Sequence, residues 1–275
     1  MELKQLIRLD LDNDKVYILE AAQDKLIVND AYNGILILND ALTLIKDIPL
    51  LDDLRIRWIY KRVTQDALLL YCYENKVLIY VDLHTFSNTI IPLPDGYRGQ
   101  LFSPLYYWHH DDIILSTNNK LHRVNVIDAT IVEIAETDIE EDHLEFYKIW
   151  THYKEQEVIF YDPADYSLII KEKDSVTFEH FDLIRKRRIT KEIPVVGSLQ
   201  DALHHKGRIV LVYEQQLVIR EVEDKLEVKL TMQAPYVFKS VRFLDDSYKK
   251  LAALLNDTSR VKHSLLKIYE IEENK

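Results

Sequence analysis

Residues 67–83 read ALLLYCYENKVLIYVDL, an apolar run, a polar Glu-Asn-Lys turn and a second apolar run ending at Asp82. Each run is short for a helix and rich in Leu, Ile, Val and Tyr, so the stretch reads as two strands of a hairpin. Runs such as ILIL, VLIYV and IVLVY are apolar at successive positions instead of alternating, which implies strands covered on both faces.

The pattern returns along the chain. It stands as KLIVND (25–30) with GILILND (34–40), DIILSTNNKLHRVNVID (112–128), EVIFYDPADYSLIIKE (157–172), RIVLVYEQQLVIREVED (208–224), and KLAALLND (250–257) with SLLKIYEIEE (264–273). Counting from Lys25, Ala67, Asp112, Glu157, Arg208 and Lys250, the six copies are spaced by 42, 45, 45, 51 and 42 residues. A propeller blade of four strands repeats every ~40 to 50 residues.

Each copy follows a further apolar stretch, such as KVYILE, IRWIYK, YYWHH or KIWTHY. Several precede a fourth stretch, and three of these end at Ile48-Pro49, Ile91-Pro92 and Ile193-Pro194. Proline is tolerated at the end of an outermost strand, where no neighbour needs the missing N–H. The expectation is therefore an all-β chain, a β-propeller of about six four-stranded blades in one domain over 1–275. LIRLDL near the N-terminus has no blade of its own and is expected to complete the last one, hiding strand edges that would otherwise be open.

Two places resist the pattern. In the fourth copy, SLIIKEKDSVTFEHFDLIRKRRITKEIPV aligns as well with the hairpin at 67 as EVIFYD does, which would move the second strand from 157 to 167 and leave an insertion over 137–156. Ile139 to Tyr153 and Ser247 to Asn256 also fit helices. No WD dipeptide or Kelch glycine signature occurs.

The chain of 275 residues is 47% hydrophobic, enough for a core, and has only five glycines, so its turns must rest on Asn, Asp and Lys. One cysteine, Cys72, excludes an intrachain disulfide and fits a reducing compartment, where it reads as a strand filler. The N-terminus has no apolar leader and no run approaches the ~18 apolar residues of a membrane span, so a cytoplasmic location away from membranes is expected. A net charge of −11 repels phosphate backbones, disfavouring nucleic acid and favouring a basic protein partner. The acidic run from Glu136 to Glu145 and the basic cluster Arg185-Lys186-Arg187-Arg188 with Lys191 read as a solvated insertion and a solvated hairpin.

Chemical motifs are scarce. Asp10, Asp12 and Asp14 have the first spacings of a calcium loop, but Lys15 and Ala21 stand where it needs glycine and glutamate. His109-His110 and His204-His205 are strand neighbours, which point to opposite faces and cannot share a metal without a bend. No GxSxG, phosphate loop, CxxC or HExxH occurs, so neither a cofactor nor a metal is expected. The sharpest feature is aromatic: Trp58, Trp108 and Trp150 fall in the first strands of three consecutive copies, with Tyr60, Tyr107, Arg57 and His109 beside them. Two readings fit, a partner-binding patch and large rings filling space between blades. The chain is accordingly read as a non-enzymatic protein-interaction module, an inhibitor or a scaffold. The alternative is a propeller hydrolase or lyase acting on a small or sugar-like substrate at the channel mouth.

Overall fold

The computed structural model describes residues 2–11, 15–62, 64, 66–93, 105–109, 111–117, 120–139, 144, 148–149, 151–153, 156–162, 165–182, 184–222, 227–244, 249–260 and 263–272. Twenty-four strands form six four-stranded antiparallel sheets. After β1 (Glu2–Asp10), blade 1 holds β2 (Leu19–Ala22), β3 (Lys25–Asp30), β4 (Gly34–Asn39) and β5 (Leu44–Pro49). Blade 2 holds β6 (Trp58–Lys61), β7 (Ala67–Cys72), β8 (Val77–Asp82) and β9 (Asn88–Pro92). Blade 3 holds β10 (Leu105–His109), β11 (Asp112–Thr117), β12 (Lys120–Asn125) and β13 (Ile131–Ile134). Blade 4 holds β14 (Glu157–Asp162), β15 (Ser167–Lys171), β16 (Ser175–Asp182) and β17 (Arg187–Pro194). Blade 5 holds β18 (Leu199–His205), β19 (Arg208–Tyr213), β20 (Gln216–Glu221) and β21 (Glu227–Thr231). Blade 6 holds β22 (Tyr236–Phe243), β23 (Lys250–Asp257) and β24 (Ser264–Glu272), and its fourth strand is β1, paired antiparallel to β24 from Glu2 with Glu272 to Asp10 with Leu265.

The second and third strands of each blade carry the apolar runs. β7 is buried at all six positions and β3 at four of six, because each is covered on both faces. The Ile-Pro pairs close β5, β9 and β17, with Ile48, Ile91 and Ile193 buried and the prolines at the outer edge. The chain divides into two compact units of three blades each. Blades 1, 5 and 6 form the unit of residues 1–54 and 196–275, in which Val16, Leu26 and Val28 pack with Leu254, Leu266 and Ile268. Blades 2, 3 and 4 form the unit of residues 55–195, whose cluster runs from Tyr60 and Leu69 through Ile113 and Val124 to Leu168 and Phe181. No helix among the described residues is long and apolar enough to cross a membrane.

Scarce glycine is replaced by a repeated polar device. At the turn between third and fourth strands, Asn39, Asp82, Asn125 and Asp182 each accept hydrogen bonds from backbone N–H groups two to four residues on, at 2.7–3.2 Å. The turn then needs one residue with positive φ, supplied by Leu42 (57°), Phe86 (58°), Ala129 (57°) and Lys186 (48°). The side-chain bonds offset the steric cost that glycine would have avoided. Gly34 answers a different need, since a Cβ there would run into the carbonyl oxygen of Ile48 on β5.

The structure corrects three expectations. In the fourth copy the first strand is β14 and the second β15, so the alignment at 167 holds and KIWTHY is not an inner strand. The described residues around Trp150, which are Lys148, Ile149 and Thr151 to Tyr153, are helical, and Ile149 and Tyr153, four apart on one helix face, join the cluster of the second unit. Trp150 itself lies outside the described residues, as do Asp12, Asp14, His110 and Glu140 to Asp142. The segment Ser247 to Asn256 is not helical where described, since β23 begins at Lys250. Ala and Leu favour helix there, but pairing with β22 and β24 and burial on both faces decide the outcome.

Candidate interaction surface

The hairpin of β16 and β17 differs from its counterparts. Both strands run eight residues, against four to six for the third and fourth strands of blades 1, 2, 3 and 5. At ~3.3 Å per residue it is longer by about 7 Å. Its sequence alternates: Val176 and Phe178 face one way, and Ser175, Thr177 and Glu179 the other.

Glu179 is fully buried and would be costly there without partners. It has four. Arg188 on β17 donates from Nη2 to Oε1 at 2.7 Å and from Nε to Oε2 at 2.9 Å, a bidentate pair. The Tyr153 hydroxyl donates to Oε1 at 2.6 Å and that of Thr190 to Oε2 at 2.9 Å. Burial acts to raise the Glu179 pKa, but the bonds from Arg188, Tyr153 and Thr190 outweigh it and hold the carboxyl below its ordinary 4.5. Burial and the bond to Glu179 push the Tyr153 hydroxyl up to about 12. Because Tyr153 belongs to the helical insertion, one buried carboxylate ties insertion and hairpin together.

This network has a pH signature. A depressed folded-state pKa gives stability that is complete above the unfolded value near 4.5 and disappears as pH falls through the lower folded one. The melting temperature of the native protein should therefore fall more steeply below pH 4.5 than that of Glu179→Gln. Parallel curves would remove Glu179 from the account.

The tip of the hairpin is set by Asp182, whose Oδ1 accepts from the N–H groups of Ile184 and Arg185, both at 3.0 Å. Those backbone bonds, led by Arg185, keep its carboxyl below the usual range. The turn leaves Ile184 96% exposed and flanked by exposed Arg185, Lys186 and Arg187. Burying such a side chain on association would gain ~1.5 to 3 kcal/mol. The equivalent turn of blade 3 shows Ile127, 58% exposed. The basic cluster is thus a hairpin, as the sequence suggests, with an apolar tip that the sequence reading passed over.

The aromatic residues singled out in the sequence are less open. Trp58 on β6 is half-buried against the cluster of blades 2 to 4, and its indole nitrogen is buried without a hydrogen-bond partner among the described residues. Tyr60 is buried at 2% exposure and meets Tyr161 edge-on, ring centroids 6.3 Å apart. Arg57 is exposed. Tyr107, Trp108 and His109 stand in order on β10. Cys72 is buried on β7, and burial pushes its thiol up to about 12, leaving it protonated at neutral pH. His204 and His205 diverge: Nε2 of His204 accepts from Gly207 N–H at 3.2 Å, while His205 stacks on Phe243 at 5.9 Å.

In the first unit one guanidinium links the inner strands of all three blades. Arg242 on β22 donates from Nε to Glu20 of β2 at 3.0 Å and from Nη1 to Asp201 of β18 at 2.9 Å, joining the first strands of blades 6, 1 and 5. The Ser240 hydroxyl donates to the same Asp201 oxygen at 2.6 Å. Burial acts to lower the Arg242 pKa, and the charges of Glu20 and Asp201 more than reverse it. Two carboxylates shared by one guanidinium brace three strands.

A scan against protein-family models finds no match to this chain, and no curated protein sequence matches it. Solved structures do match. The β-propeller domain of Cps50 (Swd1) from Myceliophteria thermophila superposes with a TM-score of 0.63 at 10% identity, covering 97% of this chain and all of that one. The fold is a six-bladed β-propeller. The WD40 domain of Neurospora crassa Pan2 gives 0.51 at 10% identity, over 94% of this chain and 76% of that one. A chain of the mitotic checkpoint complex gives 0.59 at 9%, over 98% and 92%. At such identities the likeness shows the fold alone.

Proposed function

We propose that this propeller is a non-enzymatic protein-interaction module, a scaffold or inhibitor, that engages its partner through the β16 and β17 hairpin. The observation that carries the reading is Ile184, 96% exposed at the tip of a braced hairpin and surrounded by Arg185, Lys186 and Arg187. An apolar anchor among arginines is the composition interface hot spots favour. The net charge of −11 steers basic molecules towards the chain as a whole, but binding is decided locally, and this tip selects an acidic segment with an apolar residue. Likeness to propeller domains, one of them in a multiprotein complex, supports the reading by analogy of fold.

The test is affinity capture from cytosol on the native protein and on Ile184→Ser, with the retained protein identified by cross-linking. Ile184→Ser should weaken retention at least ~10-fold and leave the melting temperature unchanged, since an exposed tip residue supports little of the fold. Added salt should weaken it further. Equal retention by both proteins, or none by either, would reject this surface. Trp58→Ala serves as the contrasting arm: packed against the cluster, it should cost about 3 kcal/mol of stability. Loss of binding at unchanged stability would return the interface to the aromatic patch of Trp58, Trp108, Trp150, Tyr60, Tyr107, Arg57 and His109.

A further inference from the structure

Between blades 5 and 6 lies a cavity of about 560 Å³, within the size range of small-ligand sites. β1 and β24 form one wall, β21 another, and the segment Met232 to Ala234 with Tyr236 the rest. The strands' alternation explains its lining. Leu266 and Ile268 of β24 face blade 1, so Lys267 and Tyr269 face the other side, towards blade 5.

Lys267 is the anomaly. Its neighbours on β24 are apolar and buried, and it is itself only 4% exposed. Buried lysines are normally paired with a carboxylate. This one makes no hydrogen bond or ion pair with any described residue, and its ammonium sits over the Tyr236 ring, 3.6 Å from the centroid. Tyr236 is in turn held by Arg8, which donates to its hydroxyl at 3.0 Å, and Tyr269 donates to the sulfur of Met232 at 3.6 Å. The cavity lining contains Lys267, Lys229, Gln5 and Gln233 and no Asp or Glu, in a chain of net charge −11. Lys229 is already paired with Glu227 at 3.0 Å, whereas Lys267 has no ion pair with a described residue and feels the carboxylates of Asp10 and Asp257 only from outside the lining.

We propose that this cavity is a binding site for a small organic oxyanion, a carboxylate or phosphate ester, with the Lys267 ammonium as counter-ion and the rings of Tyr236 and Tyr269 against its body. Burial, followed by the nearby charge of Arg8, lowers the Lys267 pKa against the opposing pull of Asp10 and Asp257, a cost that an incoming anion would relieve. The site is separate from the hairpin of blade 4 and stands or falls independently of it.

Titration calorimetry with hexanoate, glycerol 3-phosphate and inorganic phosphate, on the native protein and on Lys267→Met and Lys267→Gln, tests the assignment. At least one of the three should bind the native protein with one site per chain, and both variants should weaken it by at least ~10-fold, the loss of one charge-assisted contact. Preference for hexanoate or for glycerol 3-phosphate identifies the headgroup. Lys267→Met should fold at least as stably as the native protein, because it replaces a buried unpaired charge by an apolar chain of like length. No binding of any of the three at millimolar concentration, or equal binding by native and variant proteins, would overturn the site.

Discussion

Removing residues 2–10 should lower the melting temperature by at least ~10 °C and add concentration-dependent self-association that the native protein lacks. β1 is the fourth strand of blade 6, hydrogen-bonded along β24 from Glu272 to Leu265. Without it, β24 presents an open edge backed by buried Leu265, Leu266, Ile268 and Ile271. A bare edge with an apolar strand behind it is a template for a second chain. Loss of Ile7 and Leu9, which pack against the cluster of blades 1 and 6, adds a core defect. Size-exclusion chromatography over a range of concentrations, with thermal unfolding, measures both effects. A synthetic peptide of residues 2–11 added in trans should reverse the added association and restore much of the stability. A truncated protein that elutes as the native one does at every concentration and melts within ~3 °C of it would show that β1 is dispensable.

Arg242→Ala should cost about 3 to 5 kcal/mol, seen as a fall in melting temperature of about 10 °C. The loss is not simply that of two ion pairs. Glu20 and Asp201 have side chains only 10% and 15% exposed, and the substitution leaves both without their cation. The first strands of blades 1 and 5 would then carry two largely buried like charges where one guanidinium had joined them. Replacing the set together, as Arg242→Met with Glu20→Leu and Asp201→Leu, should recover half or more of the loss, because no stranded charge remains. A single substitution costing less than ~1 kcal/mol would mean that water already compensates the carboxylates.

The paired apolar runs were enough to reveal the blades. KLIVND, ALLLYCYENKVLIYVDL and their kin recur at blade length because every blade must bury its two middle strands on both faces, and that demand is written residue by residue. The Ile-Pro endings and the orphan N-terminal strand were legible for similarly local reasons: proline lacks a donor, and an edge needs covering. The turn device was also present, as Asn39, Asp82, Asn125 and Asp182, but it is hard to see without glycines to mark it. Where local preferences conflicted, at 148–153 and 250–257, only packing resolved them, since neighbouring strands or a core contact outweigh the ~0.5 kcal/mol or less that separates the propensities of such residues.

The sites depended almost wholly on tertiary structure. Nothing in SVTFEHFD shows that Glu179 meets Arg188, Thr190 and a tyrosine 26 residues upstream in the insertion. Nothing in SLLKIYEIE shows that Lys267 faces a cavity when Leu266 and Ile268 face a core, although a lysine inside an apolar strand is the one signal to seek. Periodicity records which side of a strand is buried, and so it determined the blades. Which residues from different blades share a burial site is set by the packing of strands far apart in sequence, which leaves no periodic trace, and that decided the Arg242 brace, the hairpin anchor and the Lys267 cavity.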